Sequence, residues 1–187
     1  LRGDDKSSSS YKESFRRIMD QADHTTRLVD DLLFIARADA GEPRLKIRPV
    51  ALDEILQDVC ANFAARAARD GLEIEPPAQA QPMTVMGDSG RLRQVFAILL
   101  DNALRYSITG GKVVVRLEAN RNEAIVSVRD QGIGLTREEA DQAFERFYRG
   151  PGAEAHARGT GLGLPVARAI VHAHRGRISL DGEPGKG

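Results

Sequence analysis

Tryptophan is absent from this chain of 187 residues, and tyrosine and phenylalanine together number nine. An aromatic platform for stacking nucleic-acid bases is therefore not expected. Cys60 is the only cysteine, which excludes a disulfide framework and a cysteine-rich zinc site. A single thiol fits a reducing compartment and reads as a small buried side chain on a helix. Charge of one sign is also lacking, with 27 basic residues against 27 acidic ones. Nucleic-acid binders usually carry a basic surplus, so no nucleic-acid partner is expected. No apolar run approaches the roughly 20 residues that a membrane span needs. The longest, Val95 to Leu100, reads as a helix core segment. No signal peptide is visible, and residue 1 looks like mid-protein sequence.

What is present is enough apolar sequence, 41%, for one medium domain with an extension. Residues 1–10, charged and then serine-rich, read as a turn or irregular joint with Ser10 as an N-cap. From Tyr11 to Ala40, the residues Phe15, Ile18, Ala22, Thr25, Val29, Leu32 and Ala36 recur at spacings of three and four. That is a heptad-like helical seam, widened by Leu28, Leu33 and Ile35. One long helix cannot bury such a face alone, so it demands a partner helix from this chain or another copy. Thr25 weakens the seam and argues against a simple two-stranded coil. Gly41 and Pro43 stop the helix.

Arg44 to Val50 alternates as a strand does, and Leu52 to Arg69 has helical spacing. Leu72 to Glu75 and Thr84 to Met86 read as short strands. Asp88 or Ser89 caps a helix that runs to Tyr106. Lys112–Leu117 and Ala124–Arg129 form a hairpin across residues 120–123. Thr136 to Phe147 reads as a helix with Glu138 and Glu139 in its first turn. A Gly/Ala/Pro stretch spans Gly150 to Gly159, then a helix spans Gly163 to His174 and a last strand Arg177 to Leu180. The expected fold is α/β, a two-layer sandwich of a mixed β-sheet with helices on one face, preceded by the long helix. Hairpins in place of regular crossovers exclude a Rossmann unit.

Three segments can carry chemistry. Asp101-Asn102-Ala103-Leu104-Arg105-Tyr106 places Asn102, Arg105 and Tyr106 on one helix face. An amide oxygen can ligate Mg²⁺, a guanidinium can meet phosphate, and a phenol can lie against a base. Asp130-Gln131-Gly132-Ile133-Gly134-Leu135 follows a strand. Its aspartate can accept from an exocyclic amine, and its glycines let backbone approach a planar ligand. Gly159-Thr160-Gly161-Leu162-Gly163-Leu164 precedes a helix, where backbone N–H groups can hold phosphate. It lacks the Lys-Ser or Lys-Thr of a Walker A loop. Each segment alone is common among proteins; their order together is specific.

The combination resembles the nucleotide-binding domain of sensor histidine kinases, shared with the gyrase, Hsp90 and MutL ATPases. GDSGRLRQVFAILLDNALRYS from Gly87 resembles the kinase N box, and VRDQGIGL from Val128 the G1 box. FERFYRG from Phe144 resembles the F box, and RGTGLGLPVARAIVHAHRGRI from Arg158 the G2 box with its helix. TRLVDDLLFIARADAG from Thr26 looks like the second helix of the family's dimerisation and phosphotransfer domain. The resemblance implies ATP and Mg²⁺ as ligands, with Asn102 on the metal and Arg105 near the phosphates. It implies Tyr106 near the base, Asp130 on adenine N6, and Gly132 and Gly134 shaping the base pocket. Gly159, Thr160, Gly161, Leu162 and Gly163 would follow the phosphates. Arg149 to Arg158 would form a lid anchored by Phe144 and Phe147.

On that footing residues 1–41 are part of a dimerisation domain and residues 42–187 the catalytic domain. The implied partners are a second copy of the chain, through the N-terminal helix, and the receiver domain of a response regulator. The implied setting is the cytoplasmic portion of an inner-membrane sensor. The sequence departs from the family in four places. The family's phosphoacceptor histidine, with its acidic and Arg-Thr-Pro context, has no counterpart among His24, His156, His172 and His174. His172 and His174 lie near a helix end, where a cation is favoured. Ile98 stands where the kinases usually have Asn and the hydrolytic relatives Glu, and an alkyl group cannot accept a proton. Arg175 stands where a glycine is usual, and the strand that normally closes the sheet is missing. A degenerate nucleotide-binding module without kinase activity is the alternative reading.

Overall fold

A computed structural model describes residues 4–78, 82–121, 123–150 and 160–185, with the backbone alone at 4–10, 12, 20 and 24. The first helix, α1, spans Asp4–Asp39 and so runs through the serine-rich stretch expected to be irregular. Ser10 is therefore not a cap. Serine costs a helix only about half a kcal/mol per residue relative to alanine, too little to stop one. Gly41, at φ +76°, ends α1, with Glu42 N–H donating to Arg37 O and Gly41 N–H to Ala38 O. This is a Schellman closure.

The seam on α1 has two regimes. Phe15, Ile18, Val29, Leu32 and Leu33 are exposed, so this chain does not cover them. Phe34 and Ile35 are buried against the rest of the protein. The Arg91 guanidinium sits 4.2 Å from the Phe34 ring centroid. Gln94 donates to Asp31 at 2.6 Å, and Arg146 pairs with Asp39. Burial at this dock pushes the Asp31 carboxyl above its usual range, against the opposing pull of the Gln94 hydrogen bond and Arg91. The last two turns of α1 thus dock on the domain that follows.

That domain is α/β. β1 (Arg48–Ala51) pairs antiparallel with β3 (Thr84–Gly87). β2 (Glu73–Glu75) runs parallel to β4 (Lys112–Asn120), which forms the expected hairpin with β5 (Glu123–Arg129). The strands thus make a mixed three-stranded sheet and a two-stranded ribbon. β1 is shorter than its alternation predicts. Helices α2 (Leu52–Arg69), α3 (Ser89–Tyr106) and α5 (Gly163–Ala173) form the second layer. Val113, Val115 and Leu117 of β4 are buried at every second position, as a sheet covered on one face requires. They meet Leu56, Leu100, Val166 and Ile170 in one core.

Asp88 caps α3 by accepting from Arg91 N–H at 3.1 Å, and it accepts from Lys46 N–H at 2.9 Å. Burial opposes its charge, but the amides of Lys46, Arg91 and Gly90 prevail and hold the carboxyl below its usual range. Its own N–H donates to His174 Nε2 at 2.9 Å, while His174 Nδ1 lies 2.8 Å from Ile170 O. With Nε2 accepting, Nδ1 carries the donor hydrogen. His174 thus uses both ring nitrogens in contacts within the fold, tying the end of α5 to the cap of α3.

Two expected elements are shorter than their patterns. Thr136 and Glu139 make a reciprocal capping box for α4, but α4 covers only Arg137–Gln142. Phe147 has φ +64° and donates its N–H to Gly161 O at 2.9 Å, which pulls the chain out of helix. Phe144 is buried beneath Arg168, whereas Phe147 is 64% exposed, so of the two only Phe144 belongs to the buried core. Arg177–Leu180 forms no strand. Ile178 still packs on the core and Arg177 reaches Glu123 at 3.2 Å, so side-chain contacts help hold this stretch.

α5 closes in a Schellman motif, with Gly176 N–H on Val171 O and Arg175 N–H on His172 O. This forces Arg175 to φ +60°. A side chain there costs about 1 kcal/mol, so Arg175→Gly should stabilise the fold by about 0.5–1 kcal/mol. A higher urea midpoint with unchanged slope is the expected reading; a lower midpoint would show that the Arg175 side chain matters more than its backbone.

Candidate nucleotide site

The end of α3 is stitched to the loop after β5. Ser107 and Gly132 form an isolated bridge, Ile133 N–H donates to Tyr106 O at 3.3 Å, and Ile108 N–H donates to Gln131 O at 3.1 Å. Gln131 also accepts from Lys112 N–H through its side chain at 3.0 Å. These bonds bring the end of α3, whose last turns carry half-buried Asn102, Arg105 and Tyr106, to the loop of Asp130 and Gly132. Residues some 30 apart in sequence thus share one neighbourhood.

Gly132 is where the two walls meet. A Cβ there would lie 2.5 Å from Tyr106 O and 2.6 Å from Asp130 Oδ1. Desolvation pushes the Asp130 carboxyl above its usual range, and the Gly132 N–H only partly offsets it. A partly buried carboxylate whose amide contacts do not offset its desolvation is a costly feature that suits a ligand's N–H donor.

The third wall comes from the start of α5. A Cβ on Gly163 would touch Ile98 Cγ2 at 3.3 Å, so the glycine loop lies one helical turn from Asn102. Leu162 occupies the N-cap position with no side-chain cap, which leaves the first-turn N–H groups for an anion. Its own side chain is buried, so only its backbone can face a ligand. Thr160 is exposed, Gly161 is half-buried and Arg149 is exposed. Gly159 and most of the expected lid, with His156, lie outside the described residues. Gly134, at φ +64°, packs under the C-terminal segment, where Gly185 N–H donates to Ile133 O at 2.7 Å.

The donor set fits Mg²⁺ carried in by phosphate. No described residue hydrogen-bonds the Asn102 side chain, which leaves its amide oxygen available. Among the described residues no group of three His, Cys, Asp or Glu could hold a metal. A divalent ion here would therefore need phosphate oxygens beside the Asn102 amide.

Sequence reasoning missed Asp101 and Arg66. Asp101 accepts from Arg105 at 2.7 Å and also pairs with Arg66 of α2. The i,i+4 spacing of Asp101 and Arg105 was a legible signal; Arg66, 35 residues away, gave none. A separate cleft lined by Lys46, Arg48, Asp58, Asp88 and Arg93 lies at the opposite end of α3. Its charges are mixed and Arg93 is already paired with Asp58 at 3.0 Å, so it is not the nucleotide site.

A layered α/β domain with an amide helix, an Asp/Gly loop and a glycine-rich helix start defines a nucleotide-binding ATPase-type fold. Residues 87–187 match the family of histidine kinase-, DNA gyrase B-, and HSP90-like ATPases, and the chain belongs to that family. The chain is 33% identical over 95% of its length to the cell-division control histidine kinase PdhS of Brucella suis. It spans 18% of the length of that relative. Among solved structures it resembles the Acinetobacter baumannii histidine kinase AdeS, with TM-score 0.74 and 28% identity over 92% of this chain and 79% of that one. It also resembles full-length ShkA in complex with AMPPNP, with TM-score 0.77 and 28% identity over 94% of this chain and 36% of that one. These likenesses reach α1, so the chain combines a kinase-type catalytic domain with part of a dimerisation helix. Among the described residues, no helix is long and apolar enough to cross a membrane.

Proposed function

We propose that this chain is the ATP-binding portion of a two-component histidine kinase. It would direct the γ-phosphoryl of ATP to a histidine outside residues 1–187, from which an aspartate of a response-regulator receiver domain takes it. The observation that carries this reading is that one helix, α3, joins the Asn102 amide, which no described residue hydrogen-bonds, to the desolvated Asp130 carboxyl at its end and to the uncapped start of α5 beside Ile98.

Asp130 would accept from the adenine amine while Gly132 keeps the pocket wall flat. Tyr106 would pack near the base. Arg105 and the N–H groups of residues 160–163 would meet the phosphates. Asn102 would hold Mg²⁺, which supplies charge neutralisation on the phosphates. The protein's part is then positioning and electrostatics, with no covalent nucleophile. Ile98 packs against the start of α5 and offers no general base, which disfavours hydrolysis by activated water.

Residues 1–41 would complete a helical bundle with a second copy, since Phe15, Ile18, Val29 and Leu32 stand exposed on α1. The receiver domain would dock on the Thr25–Ala36 region, and the whole would be the cytoplasmic portion of an inner-membrane sensor. The alternative, a degenerate regulatory module, rests on Ile98.

Two measurements test the reading. Calorimetric titration of this chain should show ATP binding that strengthens with Mg²⁺ and loses its metal dependence in Asn102→Ala. A protein joining this chain to a histidine-bearing helix should take up label from γ-labelled ATP that is acid-labile and alkali-stable, then pass it to a receiver domain. ATP binding without such label would favour the degenerate module; no ATP binding would refute both readings.

A further inference from the structure

We infer that Asp101, braced by Arg66, positions Arg105 for the phosphates of the bound nucleotide. The inference rests on the proposed nucleotide site and adds two residues to it. Both oxygens of the Asp101 carboxylate are engaged. Arg66 Nη1 donates to Oδ1, and Arg105 Nη2 donates to Oδ2 at 2.7 Å. A carboxylate held at both oxygens has a fixed plane, and it fixes the plane of each guanidinium it meets.

Arg66 is itself restrained. Its Nε lies 3.7 Å from Asp70 Oδ2 and its guanidinium lies 6.0 Å from the Phe63 ring centroid. The brace therefore runs from α2, through Asp101, to the third residue past Asn102 on α3. The Arg105 side chain is 21% exposed, the most buried of the three. Restraint counts for more there than on an open surface, because screening is weaker.

Charge decides whether such a carboxylate helps or hinders. Two guanidiniums flank one carboxylate, so the trio keeps a net positive charge. Asp70 offsets little of it, being 51% exposed and beyond hydrogen-bond reach. A guanidinium carries five N–H donors, and the bond to Asp101 uses only part of that fork. Asp101 can thus orient Arg105 without neutralising the cluster. Groups that orient a ligating residue typically change affinity by about 10-fold or more when lost.

The test compares ATP with adenosine, which lacks phosphates, by displacement of a fluorescent nucleotide from the 187-residue chain. Asp101→Asn, which keeps the shape and removes the charge, should weaken ATP by about tenfold and leave adenosine unchanged. Arg66→Met should move ATP in the same direction by less. The double variant Asp101→Asn/Arg105→Ala should bind ATP no more weakly than Arg105→Ala alone, because Asp101 acts through Arg105. A merely structural role would instead shift both ligands together and leave the double variant weaker than either single. If Arg105→Ala changes the ATP-to-adenosine ratio but Asp101→Asn does not, or tightens ATP, the positioning role is wrong and the nucleotide site stands. If Arg105→Ala leaves the ratio unchanged, the phosphate role of Arg105 falls and the Asp101 inference with it. Thermal melting of each variant confirms that the comparison is between folded proteins.

Discussion

Asp130→Asn should weaken ATP binding by about a hundredfold and, in the same protein, raise the melting temperature. The loss follows from acceptor arithmetic. A carboxylate has two oxygens; the amides of Gly132 and of Asp130 itself take part of their acceptor capacity, and the proposed adenine amine would take more. Asparagine offers a single oxygen, so its NH₂ must face one of these donors. The gain follows from burial. Desolvation raises the Asp130 carboxyl above its usual range, so its ionised form is penalised in the folded state. For a raised carboxyl, that penalty is complete above the folded value, shrinks as pH falls through it and vanishes below the ordinary carboxylate range. The thermal advantage of Asp130→Asn should accordingly be largest near neutral pH and fade in acid. Asp88 runs the other way. Its capping amides hold it low, so its contribution is present at neutral pH and lost as acid protonates it. Melting curves at two pH values, with an ATP titration, check both halves. A variant that melts lower at neutral pH would show Asp130 to be structural.

Gly132→Ala should lose ATP binding and about 2–3 kcal/mol of stability. One methyl group would press on the Tyr106 carbonyl oxygen at 2.5 Å and on Asp130 Oδ1 at 2.6 Å. Neither can yield cheaply. The Tyr106 carbonyl is fixed by Ile133 N–H, and Asp130 is fixed by Gly132 itself. Relief requires α3 and the loop to part, which separates the amide face from the carboxylate. Gly110→Ala is the matched control. It has φ +82° but open space around it, so it should cost about 1 kcal/mol and leave ATP affinity intact. Urea unfolding and calorimetry on the pair separate backbone strain from collision. Equal losses in both variants would mean that only the backbone angle matters.

The sequence was most informative where one local signal governed one element. Leu52, Ile55, Leu56, Val59 and Cys60 recur at helical spacing and are the buried face of α2. Asp88 and Ser89 both read as candidate caps, and Asp88 is the cap. Local signals failed where a distant group took control. Glu138, Glu139 and the following pattern favour a helix to Phe147, yet α4 stops at Gln142 and Phe147 N–H turns to the Gly161 carbonyl instead. Arg-Ile-Ser-Leu at 177–180 alternates like a strand, and Ile178 does face the core, but alternation does not supply ladder bonds. For the site, the residue types and their order were legible. The stitching that joins Tyr106–Ile108 to Gln131–Ile133 was not, because its hydrogen bonds are between backbone groups and leave no mark on composition. The same holds for Arg66, whose partner is 35 positions away.

Among the described residues, α1 is gripped only near one end. Its 36 residues make a rod about 54 Å long at 1.5 Å per residue. The grip lies at Asp31, Phe34, Ile35 and Asp39. With Phe34 as fulcrum, Asp4 lies about 45 Å away, so a tilt of about 10° swings it sideways by about 8 Å. In reverse, the same swing reaches Arg91 and Gln94, a side chain's length from the fulcrum, as about 1 Å. The helix is a lever with a mechanical advantage. By that geometry a broad, weak push at the far end would arrive as a small, forceful shift at the first turns of α3, the same helix that carries Asn102 and Arg105.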